Sequence, residues 1–222
     1  MSRVVAIVPM RHNSERVPGK NYRILGSKPL YHHIIETLLS VDEIDDVVID
    51  TDSDTILEDA AACFPQVKLL RRPEHLRDGE IPMNKVLLHS LSQVEADVVL
   101  QTHSTNPFLS GEVLSSALRT FTSEATDSDS VFAVTRINAR LWDNDVRPLN
   151  HDPAVLLRTQ DLPPVFLENS CFYIFSPDVL RATGNRIGTS PMMIEVPPAE
   201  AIDIDEESDF RLAEALERVN KN

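Results

Sequence analysis

The stretch Val4-Val5-Ala6-Ile7-Val8-Pro9-Met10-Arg11-His12-Asn13-Ser14-Glu15-Arg16-Val17-Pro18-Gly19-Lys20-Asn21 decides the architecture. A short apolar, β-branched run passes straight into a loop dense in cations and small polar groups. The same alternation of apolar run and helical pattern continues downstream. Strand-like runs at Val47–Ile49, Val67–Leu70, Val98–Leu100 and Val131–Val134 are separated by helical patterns at Leu30–Leu39, Ile56–Cys63, Val86–Val94 and Val113–Phe121. That order predicts a mostly parallel sheet covered by helices. The first helix is expected to begin at Pro29 and to bury Leu30, Ile34 and Leu38 on one face. Strands are predicted again at Val165–Phe175 and Met192–Val196, and a closing helix from about Glu206 to Asn220. Between Asn138 and Pro164 the pattern lapses into scattered prolines around Trp142, which reads as an irregular arm on a single domain spanning residues 1–222.

A parallel α/β sheet binds ligands beyond the carboxyl ends of its strands, so the loop leaving the first strand is a candidate site. Arg11, Arg16 and Lys20 fall within ten residues of one another, in a backbone restricted by two prolines and Gly19. Guanidinium forks and a mobile ammonium suit polyphosphate oxygens. The loop is not a Walker motif, because the spacing G-x-x-x-x-G-K-[ST] is absent. From composition alone a solvated charged turn is the other reading.

With 21 basic against 35 acidic residues and a net charge of −14, the surface is unsuited to nucleic acid or to an anionic membrane. A small anionic ligand needs a local basic pocket, which the N-terminal loop supplies. Cys63 and Cys171 stand far apart in no metal-ligand spacing, and two buried free thiols are expected. The opening apolar run is too short for a signal peptide's core, and no segment approaches membrane-spanning length, so the cytoplasm is the expected compartment.

The loop resembles the N-terminal motif A-R-x-x-S-K-x-x-P-x-K-N of the sugar-acid cytidylyltransferases, the family of acylneuraminate (CMP-sialic acid) synthetases and the related CMP-Kdo synthetases. Arg11, Ser14, Pro18, Lys20 and Asn21 match in order and spacing. Met10 replaces a small residue, and Glu15 stands where the sialic-type enzymes have lysine. Arg16 supplies a cation one position later, as in the Kdo-type S-T-R-L-P-G-K.

The resemblance covers nearly the whole chain. Leu70-Arg71-Arg72-Pro73 is similar to the family's L-R-P and implies Arg72 as a phosphate ligand, against a surface arginine at a strand end. Asp78–Asn84 falls where relatives carry serines near the base or ribose, and Asn84 is the comparable polar group. Gln101, in the segment similar to L-Q-P-T-S-P, is implied as a hydrogen-bond partner of the sugar acid. His103 is an addition to that motif, readable either as a carboxylate contact or as a structurally bonded imidazole. Glu168–Tyr173 resembles P-N-G-A-I-Y and brings Asn169 and Tyr173 to the sugar side, with Ser170 in place of glycine.

Ile202-Asp203-Ile204-Asp205 matches the family's I-D-I-D. Read as a strand, it puts Asp203 and Asp205 on one face and the isoleucines in the core. Two carboxylates suit Mg²⁺, although Asp205 and its acidic neighbours also favour a helix N-terminus. A second D-x-D, Asp50 and Asp52, is assigned to a turn and a helix cap.

The resemblance thus implies a three-layer α/β fold of the nucleotide-diphospho-sugar transferase type with a protruding dimerisation arm, and a homodimer. It implies transfer of CMP from CTP to the anomeric hydroxyl of a sialic-acid-like keto-sugar acid. Arg11, Lys20, Asp203 and Asp205 are then catalytic, Ser14, Arg16, Asn21, Arg72 and Asn84 complete the nucleotide site, and Gln101, His103, Asn169 and Tyr173 hold the sugar. Two rivals are a sugar-1-phosphate nucleotidyltransferase, which usually has the glycine-rich first loop lacking here, and a non-catalytic nucleotide-binding homologue.

Overall fold

The computed structural model describes residues 2–123 and 125–220. Its centre is β1 (Val4–Met10), every residue of which is buried. Around it stand β4 (Asp46–Thr51), β5 (Lys68–Arg71), β6 (Val98–Thr102), β7 (Ser130–Ile137), β8 (Val165–Phe175) and β9 (Pro191–Glu195), in the order β5-β4-β1-β6-β8-β7-β9. All pair parallel except β8, which runs antiparallel to both β6 and β7. A small hairpin of β2 (Ile24–Leu25) and β3 (Lys28–Pro29) leads into α1 (Leu30–Leu39), so Pro29 caps the helix rather than opening it.

Alternation along β1 divides the core. Val4, Ala6, Val8 and Met10 pack toward α1, α2 (Asp54–Cys63) and α4 (Gly111–Thr122). Val5 and Ile7 face the opposite layer of α3 (Met83–Leu91) and α5 (Pro177–Thr183). A strand buried on both faces loses its polar/apolar alternation, which is why this run is continuously hydrophobic. Cys171 is buried as expected, but Cys63, at the end of α2, is exposed.

A third, smaller cluster governs the site. Val17, Leu25 and Leu30 from the N-terminal region pack with Ile204, Phe210 and Ala213, the last two on α6 (Glu207–Asn220). Arg23 reinforces it by forking onto Glu207 at 2.6 and 2.9 Å and lying 3.9 Å from the centre of the Phe210 ring. The two ends of the chain are thereby stapled together over the carboxyl edge of the sheet.

The expected strand at 202–205 is absent: residues 201–205 join no ladder. Ile204 donates its amide to Thr105 O at 2.9 Å and is buried, while Ile202 is half-exposed. The Asp50/Asp52 assignment also changes. Asp50 lies inside β4, fully buried, and the cap of α2 is Ser53, whose side chain accepts from Ile56 N. Asp52 instead accepts the backbone N–H of His12 at 2.7 Å, fixing the loop that leaves β1.

The irregular arm at 138–164 joins the paired ends of β7 and β8, so it leaves the sheet at the same carboxyl edge as the loops after β1 and β6. Its regular features are a bridge between Trp142 and Pro148 and a single 3-10 turn at Thr159–Asp161.

Candidate active site

A cleft of about 520 Å³ opens at the carboxyl ends of β1, β4, β5 and β6, within the range of small-ligand sites. A roomier hollow of about 650 Å³ lies at the other end of the sheet between Arg3, Gln93 and Arg181. Position and charge favour the smaller: parallel sheets bind at their carboxyl edge, and there the cations converge. Arg11, Arg16, Lys20 and Arg72 all line it.

The loop that carries these cations is held from several directions. Gly19 takes φ +67°, with the Tyr22 ring packed where a Cβ would stand, so the turn into Lys20 needs glycine. The Asn21 amide donates to Arg11 O at 2.8 Å and accepts from Ser104 Oγ at 2.6 Å. Asn21 therefore clamps the loop to the β6 turn. The Ser14 hydroxyl accepts from Val17 N at 3.3 Å. Arg11 reaches across the mouth to Gly79 O at 3.2 Å.

Lys20, which also lines the cleft, meets the segment of Asp205. Lys20 Nζ donates to Ile204 O at 2.7 Å and lies 3.5 Å from Asp205, which also pairs with Arg16 at 3.0 Å. Residues 184 positions or more apart thus meet over one cleft. Asp203 is more enclosed than Asp205, and its Oδ1 is buried with no hydrogen-bond partner among the described residues. Burial, and secondarily the charge of Asp205, raise its carboxyl above the ordinary range against a hydrogen bond from Thr105. An orphaned carboxylate oxygen beside a second carboxylate is the donor set a hard divalent cation takes. The pair fits Mg²⁺.

Arg72 is no surface arginine. It is 1 % exposed, with Nε on Asp50 Oδ1 at 2.6 Å and an Nη on Asp50 O at 3.0 Å. Ser90 completes the carboxylate from α3 at 2.8 Å. Arg77 donates to Arg72 O at 3.0 Å and lines the same cleft. Nothing in the local pattern of sequence singled out Arg77.

The residues expected on the sugar side include a second bonded group. Gln101, at the end of β6, is fully buried beside its β8 partner Tyr173. Its Oε1 accepts from Arg186 at 2.6 Å, and its amide donates to His103 Nε2 at 3.0 Å and to Thr102 O at 3.1 Å. Burial, followed by the charges of Arg186 and Lys20, holds the His103 imidazole down to about 4. It is neutral at physiological pH and structurally bonded, yet it lines the cleft.

Two expected site residues stand elsewhere. The Asn84 amide donates to Gly184 O at 2.8 Å, joining α3 to the end of α5. Among the described residues it makes no hydrogen bond to the Arg11–Asn21 loop. Asn169 donates to Thr135 Oγ1 at 2.9 Å and accepts from Cys171 N at 3.1 Å, bracing the irregularity where the β7/β8 register shifts. Ser170 adopts φ +58° there, so it keeps the left-handed backbone that glycine favours.

The sequence matches a family model described as Cytidylyltransferase over residues 5–220. It is 28% identical to the N-acylneuraminate cytidylyltransferase A of Danio rerio, over 95% of this chain and 50% of the relative. It is also 28% identical to the CMP-N,N'-diacetyllegionaminic acid synthase of Legionella pneumophila, over 99% of this chain and 98% of the relative. The chain thus spans about half the length of the fish protein but nearly all of the bacterial one. Among solved structures, a CMP:2-keto-3-deoxy-manno-octonic acid synthetase complexed with CTP superposes with a TM-score of 0.70 at 17% identity, covering 99% of this chain and 100% of that one. At that identity the likeness establishes the fold.

Proposed function

The chain belongs to the cytidylyltransferase family, and from that premise we propose that it transfers CMP from CTP to the anomeric hydroxyl of a sialic-acid-like keto-sugar acid. The observation that carries the reading is the closure of the Arg11–Asn21 loop onto Asp205 through Arg16 and Lys20. It brings the cationic loop that lines the cleft against the segment that carries both carboxylates.

In the reaction the acceptor oxygen attacks the α-phosphorus of CTP. The new P–O bond forms as the bond to the β-phosphate oxygen breaks, pyrophosphate departs and the hydroxyl proton is lost. Such transfer depends on in-line positioning and on charge stabilisation, and needs no covalent nucleophile. Arg11, Lys20 and Arg72 neutralise the polyphosphate, and Asn21 keeps the loop that presents two of them in register with β6. Asp203 and Asp205 would hold Mg²⁺, which when bound neutralises phosphate charge and lowers the pKa of an oxygen it touches.

Pyrophosphate release in the presence of CTP and Mg²⁺, measured against eight- and nine-carbon keto-sugar acids, tests the assignment. One acid is expected to give turnover with CTP and little with UTP, ATP or GTP. CTP binding with no acid-dependent release across the panel would establish a non-catalytic nucleotide binder instead.

The arm supports a homodimer. It exposes Trp142, Val146, Leu149, Val155, Leu156 and Leu157, with Leu156 at 90%. So many apolar side chains on one excursion favour cover by a second copy. Light scattering is expected to give twice the chain mass, and Leu156→Asp to shift the protein toward monomer. A monomeric parent protein at micromolar concentration would contradict the dimer.

A further inference from the structure

Arg186, in the turn between α5 and β9, carries a charge that the fold leaves without an anion. Its guanidinium lies 3.7 Å from the centre of the Tyr173 ring and donates to Gln101 Oε1 at 2.6 Å. Among the described residues it makes no ion pair. The acid that acts on it, Glu168, accepts instead from the Tyr173 hydroxyl. Burial works against the charge, holding Arg186 below the usual guanidinium range, yet a guanidinium does not give up its proton at neutral pH. A desolvated cation in this position calls for a ligand of opposite charge.

The bonds around it fix the tautomer of the neighbouring imidazole. Arginine only donates, so the oxygen of the Gln101 amide faces Arg186 and its NH₂ faces His103. His103 Nε2 then accepts, which places the proton of the neutral ring on Nδ1. Lys20 and Asp205 act on the same imidazole as Arg186. The guanidinium is therefore in electrostatic reach of the residue where the phosphate-side wall of the cleft ends.

We propose that Arg186 is a substrate-binding residue that pairs with the carboxylate of the acceptor, with His103 Nδ1–H as the neighbouring donor and Gln101 and Tyr173 as the groups that hold the guanidinium in place. This rests on the sugar-acid reading above and deepens it. A neutral sugar would leave the cation uncompensated, whereas a 2-keto acid carries its carboxylate on the carbon that bears the reacting hydroxyl. Fixing that carboxylate fixes the direction of attack.

The test compares the active acid with its carboxamide analogue, using the full-length protein. Arg186→Met is expected to raise the acceptor KM by about 30-fold or more, as for loss of a charge-assisted bond, while the KM for CTP stays nearly unchanged. The parent enzyme is expected to prefer acid to amide strongly, and Arg186→Met to lose that preference. A merely structural role for Arg186 would weaken both acceptors alike. Arg186→Lys, which keeps the charge, guards against a folding defect and is expected to retain most of the preference for acid. An acceptor KM for Arg186→Met within about threefold of the parent, or an undiminished acid preference, overturns the proposal and leaves the cytidylyltransferase reading standing. Absence of acid-dependent release in the parent enzyme overturns both.

Discussion

Asp203→Asn is expected to reduce acid-dependent pyrophosphate release by about a thousandfold, several kcal/mol of transition-state stabilisation, while the melting temperature stays level or rises. The two halves of this expectation have one cause. The carboxylate of Asp203 is partly buried, feels the charge of Asp205 and has an oxygen without a hydrogen-bond partner among the described residues. Such a group costs stability when it is charged, and an amide of the same shape removes the charge without removing the side chain. A purely architectural aspartate would behave in the opposite way, losing stability with its charge and leaving turnover little changed. CTP affinity is expected to move far less than turnover, because on the proposed reading Arg11, Lys20 and Arg72 meet the phosphates independently of Asp203. Pyrophosphate release, calorimetric CTP binding and a thermal melt on one preparation suffice. Turnover within about tenfold of the parent would remove Asp203 from the chemistry.

What the sequence made legible followed from local rules. The β1 run announced a strand of a parallel sheet, and Arg11, Arg16 and Lys20 a cationic loop at its end, because each signal lies within one turn or strand. Spacing alone misread Asp203 and Asp205. The alternation Ile-Asp-Ile-Asp has the period of a strand, but its backbone joins no ladder: Ile204 donates to Thr105 O, the carbonyls of Ile202 and Ile204 accept from the Asn106 and Lys20 side chains, and Ile204 packs against Val17 and Phe210. Asp50 and Asp52 failed for a related reason. Turn and capping propensities are local preferences: burial beside an arginine 22 residues away keeps Asp50 in the strand, and the amide of His12 takes Asp52. Arg77 and Arg186 gave no local signal because their roles come from partners: Arg72 and the cleft for one, Gln101 and Tyr173 for the other. Asn84 and Asn169 were placed by alignment to a motif, and the structure turns both amides to joining elements of the scaffold.

The Asp50–Arg72 pair carries the second large effect, on stability first and on the nucleotide through it. Both side chains are almost wholly buried, and the carboxylate is saturated by Arg72 and Ser90. Replacing such a pair by well-packed apolar groups can be harmless, but removing one partner leaves an isolated buried charge. Asp50→Asn is nearly isosteric, so it isolates that electrostatic term: a loss of about 3–5 kcal/mol of unfolding free energy is expected in urea titration. The double variant Asp50→Leu with Arg72→Met is expected to regain much of that loss, since neither charge is left alone. Activity should part company with stability at this point. If Arg72 serves the polyphosphate, the double variant folds but binds CTP weakly, because the guanidinium that lines the cleft is gone. A destabilisation of Asp50→Asn below about 1 kcal/mol would mean that water or a backbone shift takes over the lost charge. Undiminished CTP binding in a stable double variant would instead confine Arg72 to the architecture, and leave Arg11, Arg16 and Lys20 to carry the phosphates.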